Sequence, residues 1–332
     1  MESEKETSPE IKVDIVVPLF NEEGALYAFH QHLKEVLAPL PYHFSILYVN
    51  DGSSDGTQRM LEKLATSDPR VVVVELSRNF GHQAALTAGL DRADGDWVIT
   101  MDGDGEHPAE LIPEMLRLAE AGYEIVLTQR EEQESLSAFK RNTSALFYRL
   151  INRLGDTRIL PGGADFRLMS RKTVLALRSM REYHRFLRGM VAWMGFRTVI
   201  IPYLPKARLG GRSKYSLQKM LRLAGDAIFS FSLLPLYFSV SLGGLFLLLA
   251  LCEGIYVLSF WITGKTTNLA PGWSSLMFVL LIVGGTLMVA VGFIGIYIGY
   301  IFQETKRRPI YLVRNVFAEG DKPSGGAEEQ RD

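Results

Sequence analysis

The sequence is poor in cysteine and has almost no net charge. Its 332 residues contain one cysteine, Cys252, which excludes an intramolecular disulfide and a metal site built from several thiolates. Lysine and arginine (36 residues) nearly balance aspartate and glutamate (37), so the formal net charge of −1 provides no basic field for nucleic acid. No nucleic-acid partner is therefore predicted.

Two phosphate-binding motifs and a signal peptide are also missing. No G-x-G-x-x-G follows the first strand-like run, and no G-x-x-x-x-G-K-[ST] occurs, which disfavours dinucleotide oxidoreductases and P-loop enzymes. Residues 1–10 form a polar tail without the basic start and apolar core of a signal peptide. We therefore expect the domain that follows to stay in the cytosol.

Short apolar runs alternate with helix-like segments through residues 11–205. The runs at 13–17, 44–49, 71–76 and 97–101 are predicted as strands, and the segments at 22–37, 56–66 and 81–91 as helices. Continuous apolar strands that alternate with helices predict an α/β domain, with a Rossmann-like, mostly parallel sheet and helices on both faces. Ligands of such sheets bind at the carboxyl ends of the strands.

Acidic loops follow three of these strands, at 18–23, 50–56 and 101–108. Acidic side chains repel a bare phosphate, but they suit one that is bound through a divalent cation. The spacing of Asp102, Asp104 and Glu106 places three carboxylates on one side of an extended backbone, and such hard oxygen ligands favour Mg²⁺ or Mn²⁺. A turn stabilised by acidic side chains is the alternative. For Asp51, nucleobase binding and Asp-Gly turn chemistry are both open.

Two long apolar stretches dominate the last third of the chain. Both exceed the roughly 20 residues that a helix needs to cross a bilayer, so transmembrane helices are predicted at 235–262 and 275–303, joined by an external loop at 263–274. Basic residues flank the outer ends, which predicts that the α/β domain and both termini lie in the cytoplasm. A pair of buried core helices is the alternative.

The segments that flank these stretches are amphipathic or basic. Residues 206–234 are expected to form a flexible basic segment and an amphipathic interface helix, and 173–194 a second membrane-docking segment. Docking of the interface helix on the soluble domain is an equal alternative. The cytosolic tail, 304–332, contains a β-branched run at 307–317 that could add a strand to a neighbouring subunit.

Six ordered motifs together resemble the family 2 glycosyltransferases of the GT-A fold. They are P-L-F-N-E (18–22), V-N-D-G-S-S-D-G-T (49–57), S-R-N-F-G-H-Q-A-A-L-T-A-G-L-D (77–91), M-D-G-D-G-E-H-P (101–108), G-A-D-F-R-L-M-S-R (163–171) and R-L-G-G-R-S-K-Y (208–215). Within this family the chain is most similar to polyprenyl-phosphate glycosyltransferases: the dolichyl-phosphate mannosyltransferases and the bacterial undecaprenyl-phosphate glucosyltransferases.

The resemblance implies a metal-dependent, inverting transfer of a hexose from a nucleotide sugar to polyprenyl (undecaprenyl) phosphate. UDP-glucose is the expected donor and GDP-mannose the alternative. The reaction is expected at the cytoplasmic face of the inner membrane, where the product would serve cell-envelope glycan modification such as that of lipopolysaccharide. Homologous enzymes can be tetramers, so a homo-oligomer is expected.

The resemblance also implies roles for individual residues. The residues expected to bind the nucleotide sugar are Pro18, Phe20, Glu22, Val49, Asp51, Asp102, Gly103, Arg208, Ser213 and Lys214. Those expected at the acceptor phosphate are Arg130, Lys140, Ser144 and Arg167. The catalytic group is expected to be Asp165, Asp104 and Arg167, and the metal ligands Asp102, Asp104 and Glu106. Asp165 could orient other groups, act as a weak base or simply pair with Arg167.

The chain departs from the family pattern at two loops. The family often has D-A-D-L-Q where this chain has D-G-D-G-E at 102–106, so Gly103, Gly105 and Glu106 differ from the pattern. Glu106 in place of glutamine adds a negative charge. The acceptor loop usually carries R-x-x-R, but Glu131, Glu132 and Gln133 follow Arg130, so one expected cation is missing.

Two other functions fit part of the sequence. A processive polysaccharide synthase would carry Q-x-x-R-W, which is absent, and two spans are few for a secretion channel. A non-catalytic membrane scaffold that binds nucleotide sugars needs no intact acidic triad, D-F-R or S-K-Y, yet this chain has all three.

Overall fold

The structure, a computed structural model, describes residues 11–131, 163–183, 185–204, 234–263 and 272–318. The predictions for Lys140, Ser144, Arg208, Ser213 and Lys214 lie outside the described residues, as does nearly all of the basic segment. The chain divides into two compact units. The first comprises Met1–Asn152, Thr157–Tyr215 and Pro309–Asp332, and the second comprises Arg153–Asp156 and Ser216–Arg308.

The described part of the first unit contains one eight-stranded sheet in the order β7-β5-β6-β4-β1-β2-β3-β8. The strands are β1 Lys12–Leu19, β2 His43–Asn50, β3 Val71–Leu76, β4 Trp97–Thr100, β5 Ile125–Arg130, β6 Gly163–Ser170, β7 Thr198–Tyr203 and β8 Val313–Phe317. The central strands β4, β1, β2 and β3 are parallel, as predicted, whereas β6 and β8 are antiparallel to their neighbours. The sheet is therefore mixed rather than uniformly parallel.

Helices cover both faces of this sheet. They are α1 Glu23–Leu37, α2 Thr57–Ser67, α3 His82–Leu90, α4 Ile112–Glu120, α5 Arg171–Ser179 and α6 Leu187–Trp193. Right-handed crossovers from β1 to β2 and from β2 to β3 put α1 and α2 on one face, and the return from β3 to β4 puts α3 on the other. Because both faces are covered, β1 is buried along nearly its whole length, which explains its continuous apolar sequence.

The strand directions determine which loops meet. The carboxyl ends of β1, β2, β4 and β5 lie at one edge of the sheet, since these strands run the same way. β6 runs in the opposite direction, so its amino end, at Gly163, lies at that same edge. The acidic loops and the D-F-R motif are thereby brought together.

Two further predictions concern membrane docking of residues 173–194 and a role of the tail strand in oligomerisation. Residues 173–194 form parts of α5 and α6. Val174, Leu177, Leu187 and Met190 are buried, whereas Leu175 and Trp193 are exposed, so docking of this segment on a membrane stays a prediction. The tail strand β8 pairs antiparallel with β3 of its own chain, and its addition to a neighbouring subunit stays a prediction. Its attachment includes a hydrogen bond from Arg314 to Glu75 (2.8 Å).

The second unit contains two long helices, α7 Leu234–Ile262 and α8 Trp273–Thr305. Within the described residues, one segment qualifies as a candidate membrane span by length and composition. It is Ile282–Thr305, which has a mean hydropathy of 2.0 and is not buried by the rest of the protein. The predicted helices thus exist, but only the second contains a candidate span, and a span at 235–262 stays a prediction.

Candidate active site at the carboxyl edge of the sheet

The loops after β1 and β2 are joined by hydrogen bonds. The backbone N–H of Asn21 donates to Ser53 Oγ (3.0 Å), and that of Ser54 donates to Asn21 Oδ1 (2.8 Å). Below them, the predicted nucleoside-binding residues Pro18 and Val49 are register partners in the sheet, and both are buried. Phe20 and Glu22 are half-buried at the rim of the same loops. The structure therefore brings the predicted nucleoside-binding residues of β1 and β2 together.

Asp51 has a structural role in this edge. Its two carboxylate oxygens accept hydrogen bonds from the backbone N–H groups of Phe80 (2.7 Å) and Gly81 (2.9 Å), and the residue is 3% exposed. Burial raises the pKa of this carboxyl, although the two hydrogen bonds oppose that effect. Asp51 thus fixes the loop that precedes α3, which supports the structural reading of Asp-Gly. Contact with a nucleobase stays a prediction.

The loop after β4 holds the acidic motif in a tight turn. The backbone N–H of Glu106 donates to Asp104 Oδ1 (3.0 Å), and that of Asp102 donates to Nδ1 of the buried His107 (3.0 Å). Burial raises the pKa of the Asp104 carboxyl, and the negative charges of Asp102 and Glu106 raise it further. The negative charges concentrated in this loop therefore make the ionised form of Asp104 less favourable than in water.

Of the three predicted metal ligands, Glu106 is paired with a cationic side chain of the protein, and its contact with a metal stays a prediction. The Glu106 carboxylate pairs with Arg130, at 2.5 Å from Nη2. No cluster of three histidine, cysteine, aspartate or glutamate side chains suited to a metal ion occurs in the described ranges. Asp102 Oδ1, however, is buried and accepts no hydrogen bond from any described residue. Asp102 and Asp104 fit a Mg²⁺-type cation that takes one or two carboxylates and completes its shell with substrate phosphate.

Gly103, between the two carboxylates, is required by close packing. A Cβ added there would lie 2.4 Å from Cδ2 of Leu19 and 3.1 Å from Cγ1 of Val17. We expect Gly103→Ala to lower the free energy of unfolding by about 1–3 kcal/mol, as overpacking does elsewhere. Chemical denaturation of the full chain in detergent measures this loss.

A substitution at Leu19, the residue that the added Cβ would clash with, tests this packing explanation. Leu19→Val removes Cδ2, so the double variant with Gly103→Ala should be more stable than the sum of the single losses predicts. Gly24→Ala is the matched control, because a Cβ there meets nothing within 4 Å. Strict additivity of the two substitutions would contradict the packing explanation.

A β-bulge places Asp165 in the site. The pairs Leu127↔Arg167 and Gln129↔Gly163 leave three residues of β6, numbers 164–166, opposite Thr128 of β5. Two carbonyl groups near the bulge accept from threonine hydroxyls: that of Asp165 from Thr100 (2.5 Å) and that of Phe166 from Thr128 (2.7 Å). Bulges beside active sites re-aim side chains in this way.

Asp165 is surrounded by positive charge. Arg188 of α6 donates through Nε to Oδ1 (3.2 Å) and through Nη2 to Oδ2 (2.9 Å), and Arg167 Nη2 also contacts Oδ1. Although burial acts to raise it, the charges of Arg188, His82 and Arg167 hold the pKa of Asp165 well below its usual range. Such a carboxylate is a poor base, so the structure favours the orienting role.

His82 connects the two carboxylate groups of the site. This first residue of α3 has its Nε2 3.5 Å from Asp102 Oδ1 and 3.4 Å from Asp165 Oδ2. Burial lowers the pKa of the imidazole, but Asp165 and Asp102 outweigh burial and raise the pKa to about 9. His82 therefore carries a positive charge at neutral pH.

The basic residues predicted for the acceptor do not all reach the surface. Arg130 ends β5 beside Glu106, and its side chain is 43% exposed. Arg167, in contrast, is 2% exposed and contacts Asp165, which argues against its predicted contact with an acceptor phosphate. Sequence reasoning missed His82, His107 and Arg188. The two histidines lie inside the quoted motifs, but nothing in the sequence pairs Arg188 with Asp165.

Comparisons with known proteins identify the family of the chain. Residues 14–177 match the domain described as Glycosyl transferase family 2. The uncharacterized glycosyltransferase YkcC of Bacillus subtilis is 38% identical over 317 residues, which cover 93% of this chain and 95% of that protein. The prophage bactoprenol glucosyl transferase homolog of Escherichia coli K12 is 37% identical, covering 92% of this chain and 99% of that protein.

Solved structures are more distant. The mannosyltransferase PcManGT from Pyrobaculum calidifontis, in complex with GDP-Man and Mn²⁺, is 16% identical and has a TM-score of 0.43, covering 85% of this chain and 86% of its own. That likeness has no bearing on donor or metal. The domain match and the two full-length relatives together show that the chain belongs to glycosyl transferase family 2.

Proposed function

We propose that the protein transfers a hexose, with glucose from UDP-glucose as the favoured case, to a polyprenyl phosphate at a membrane surface. Relatives that cover almost the whole chain are named bactoprenol glucosyl transferases, in Escherichia coli and in Shigella phage SfV. The candidate span Ile282–Thr305 supports membrane attachment, which a lipid acceptor requires. Three points stay predictions. They are the use of Mg²⁺ or Mn²⁺, the assembly into a tetramer, and the cytoplasmic orientation of the α/β domain and both termini.

One observation carries this proposal: two carboxylates stand beside a group of cationic side chains at the same sheet edge. Asp102 and Asp104 supply the negative charge, whereas His82, Arg167 and Arg188 converge on Asp165. A nucleotide-sugar diphosphate and an acceptor phosphate both need counter-charge, and they need it at two adjacent places. The carboxylate pair would supply it through a bound cation, and His82 and Arg188, whose side chains are 42% and 36% exposed, would supply it directly.

The proposed acceptor does not need a strong general base to remove a proton. A phosphate monoester is already anionic at neutral pH, so the reaction requires alignment and charge stabilisation instead of a strong general base. Asp165, whose pKa is depressed, fits this requirement because it stays ionised and orients Arg188 and His82. Asp102 and Asp104 would hold a divalent cation, which neutralises charge on the departing nucleoside diphosphate when it is bound.

The roles of the remaining predicted residues follow the same division. Lys140, Ser144 and Arg130 are proposed to contact the acceptor phosphate, and Arg208, Ser213 and Lys214 the donor diphosphate. Direct displacement of the nucleotide by the acceptor oxygen would invert the anomeric carbon. A product with retained configuration, determined by NMR of the lipid-linked sugar, would contradict that single step.

A transfer assay tests the proposed function. The full-length protein in detergent is incubated with undecaprenyl phosphate and radiolabelled UDP-glucose, UDP-galactose or GDP-mannose, with Mg²⁺, Mn²⁺ or EDTA. We expect organic-extractable label from UDP-glucose that depends on added cation and is lost with EDTA. If only GDP-mannose gave organic-extractable label, the donor would be GDP-mannose and not UDP-glucose. Nucleotide binding without transfer from any donor would favour the scaffold and overturn the proposed function.

A further inference from the structure

His107 makes close contacts with three different parts of the site. The residue is 4% exposed, and its ring stacks on Phe166 of β6 with centroids 5.3 Å apart and an interplanar angle of 18°. The rings of His107 and Tyr203 of β7 are nearly perpendicular, with centroids 6.0 Å apart. His107 Nδ1 lies 3.0 Å from the backbone nitrogen of Asp102. The ring is thus fixed from the sheet side and in turn contacts the acidic loop.

The partner of Nδ1 determines the tautomer of His107. A backbone N–H can only donate, so Nδ1 must be the acceptor and the ring proton must lie on Nε2. That Nε2 is 3.7 Å from Asp102 Oδ2, which is too long for a hydrogen bond. His107 therefore binds the main chain of Asp102 without occupying its carboxylate.

The Asp102 carboxylate is consequently placed without strong bonds to its oxygens. His82 Nε2 is 3.5 Å from Oδ1, and this oxygen accepts no hydrogen bond from the described residues although it is buried. This oxygen therefore has a cationic neighbour at ion-pair distance but no hydrogen-bond donor in the described part of the chain, and a bound cation would give it a direct partner. The structure holds the carboxylate in place through its backbone and leaves the oxygen for a ligand.

We propose that His107 is a positioning residue for the donor half of the site: its neutral ring fixes the backbone of Asp102 so that Oδ1 faces the cation of the nucleotide diphosphate. This inference rests on the proposed function, since it assumes that Asp102 binds a cation. Groups that orient metal ligands change metal affinity by about 10- to 100-fold when they are replaced.

Two substitutions separate positioning from packing. His107→Phe keeps an aromatic ring between Phe166 and Tyr203 but cannot accept from Asp102. His107→Asn loses the ring but keeps an acceptor, Oδ1, at the same number of bonds from the backbone as Nδ1. His30→Phe is the matched control, because His30 is also buried (2% exposed) and bonds through Nδ1, to Tyr48 (3.0 Å) in the α1 layer.

The experiment measures Mn²⁺ binding by the decrease of the free-ion EPR signal, with the full-length protein in detergent and saturating UDP. We expect His107→Phe to weaken Mn²⁺ binding at least about tenfold, while His107→Asn and His30→Phe stay within about threefold of wild type. Melting temperatures show that each variant is folded. If His107→Phe does not fold, His107→Leu replaces it with the same expectation.

The outcomes distinguish the two proposals. Wild-type affinity in His107→Phe, or an equal loss in His107→Asn, would reduce His107 to a packing residue and leave the proposed function intact. An equal loss in His30→Phe would assign the effect to general destabilisation and overturn the positioning role. Absence of Mn²⁺ binding by the wild-type protein with UDP would overturn both the cation-binding role of Asp102 and the role of His107.

Discussion

Asp104→Asn is expected to lower the transfer rate at least about a hundredfold and to leave the protein as stable as wild type or more so. The loss follows because a cation contributes several kcal/mol to a charged transition state, and about 1.4 kcal/mol corresponds to tenfold in rate. The stability follows from the raised pKa of Asp104: its ionised form is disfavoured by burial and by the neighbouring Asp102 and Glu106. An amide removes that repulsion and can still accept from Glu106 N–H through Oδ1.

Transfer rates and melting temperatures of the same preparations test this prediction. Glu114→Gln is the control, since it makes the same carboxylate-to-amide change at an exposed position of α4. We expect this control to keep the wild-type rate. Full activity in Asp104→Asn would remove Asp104 from the cation site. A large fall in melting temperature would show instead that the ionised carboxylate stabilises the loop.

The second large effect concerns folding. Asp165→Asn should reduce the free energy of unfolding by about 3–5 kcal/mol, because it leaves buried positive charge without its partner. Asp165 is 5% exposed and contacts both Arg167 and Arg188. Asp94→Asn is the control: its ion pair with Lys12 has side chains 66% and 43% exposed, and such pairs contribute less than about 1 kcal/mol. Chemical denaturation at pH 7 gives both values.

The pH dependence of this difference has a definite sign. The folded-state pKa of Asp165 lies well below the ordinary value of 3.8, so the native state stabilises the ionised form. That stabilisation is complete above about pH 5 and is lost as the pH falls below 4 towards the folded pKa. The stability gap between wild type and Asp165→Asn should therefore shrink below pH 4. Between pH 7 and pH 5 it should widen, because Asp165 also raises the pKa of His82 and so stabilises the protonated imidazole of the folded protein.

A second substitution checks the cause. Adding Arg188→Gln to Asp165→Asn removes one of the uncompensated charges, so the double variant should be more stable than Asp165→Asn alone. If the double variant is less stable by the full sum of both losses, charge imbalance is not the source of the effect. A gap that widens below pH 4 would contradict the depressed pKa.

The carboxyl edge of the sheet was predictable because the rules behind it are short-range. Apolar runs determine strands, and parallel strands put their ends together, so the loops that contain Asp51 and Asp102 had to meet. The six motifs were sufficient to indicate the family. The same rules could not give the direction of β6, since its pairing with β4 joins residues that are far apart in the sequence, such as Thr100 and Arg167.

The sequence pattern also could not predict which charged side chains pair with each other at the site. Glu106 had the spacing of a metal ligand, yet Arg130 takes its carboxylate. Arg167 had the chemistry of a phosphate ligand, yet it lies buried under Asp165. The pairing of Glu106 with Arg130 was not predicted, whereas that of Arg167 with Asp165 was one of the alternatives. Residue spacing could not choose among partners, because a charge selects its partner by distance in three dimensions.

The sequence by itself determined the α/β layers, the sheet edge at which the motif loops meet, the acidic pair Asp102 and Asp104, and the apolar character of the last third. These features depend on residue type and on spacing along the chain. Only the tertiary structure decided that β8 completes its own sheet, that Asp165 is held by Arg188 and His82, and that His107 fixes the backbone of Asp102. Each of these depends on side chains that are distant in sequence or on the geometry of one turn, which residue spacing does not specify.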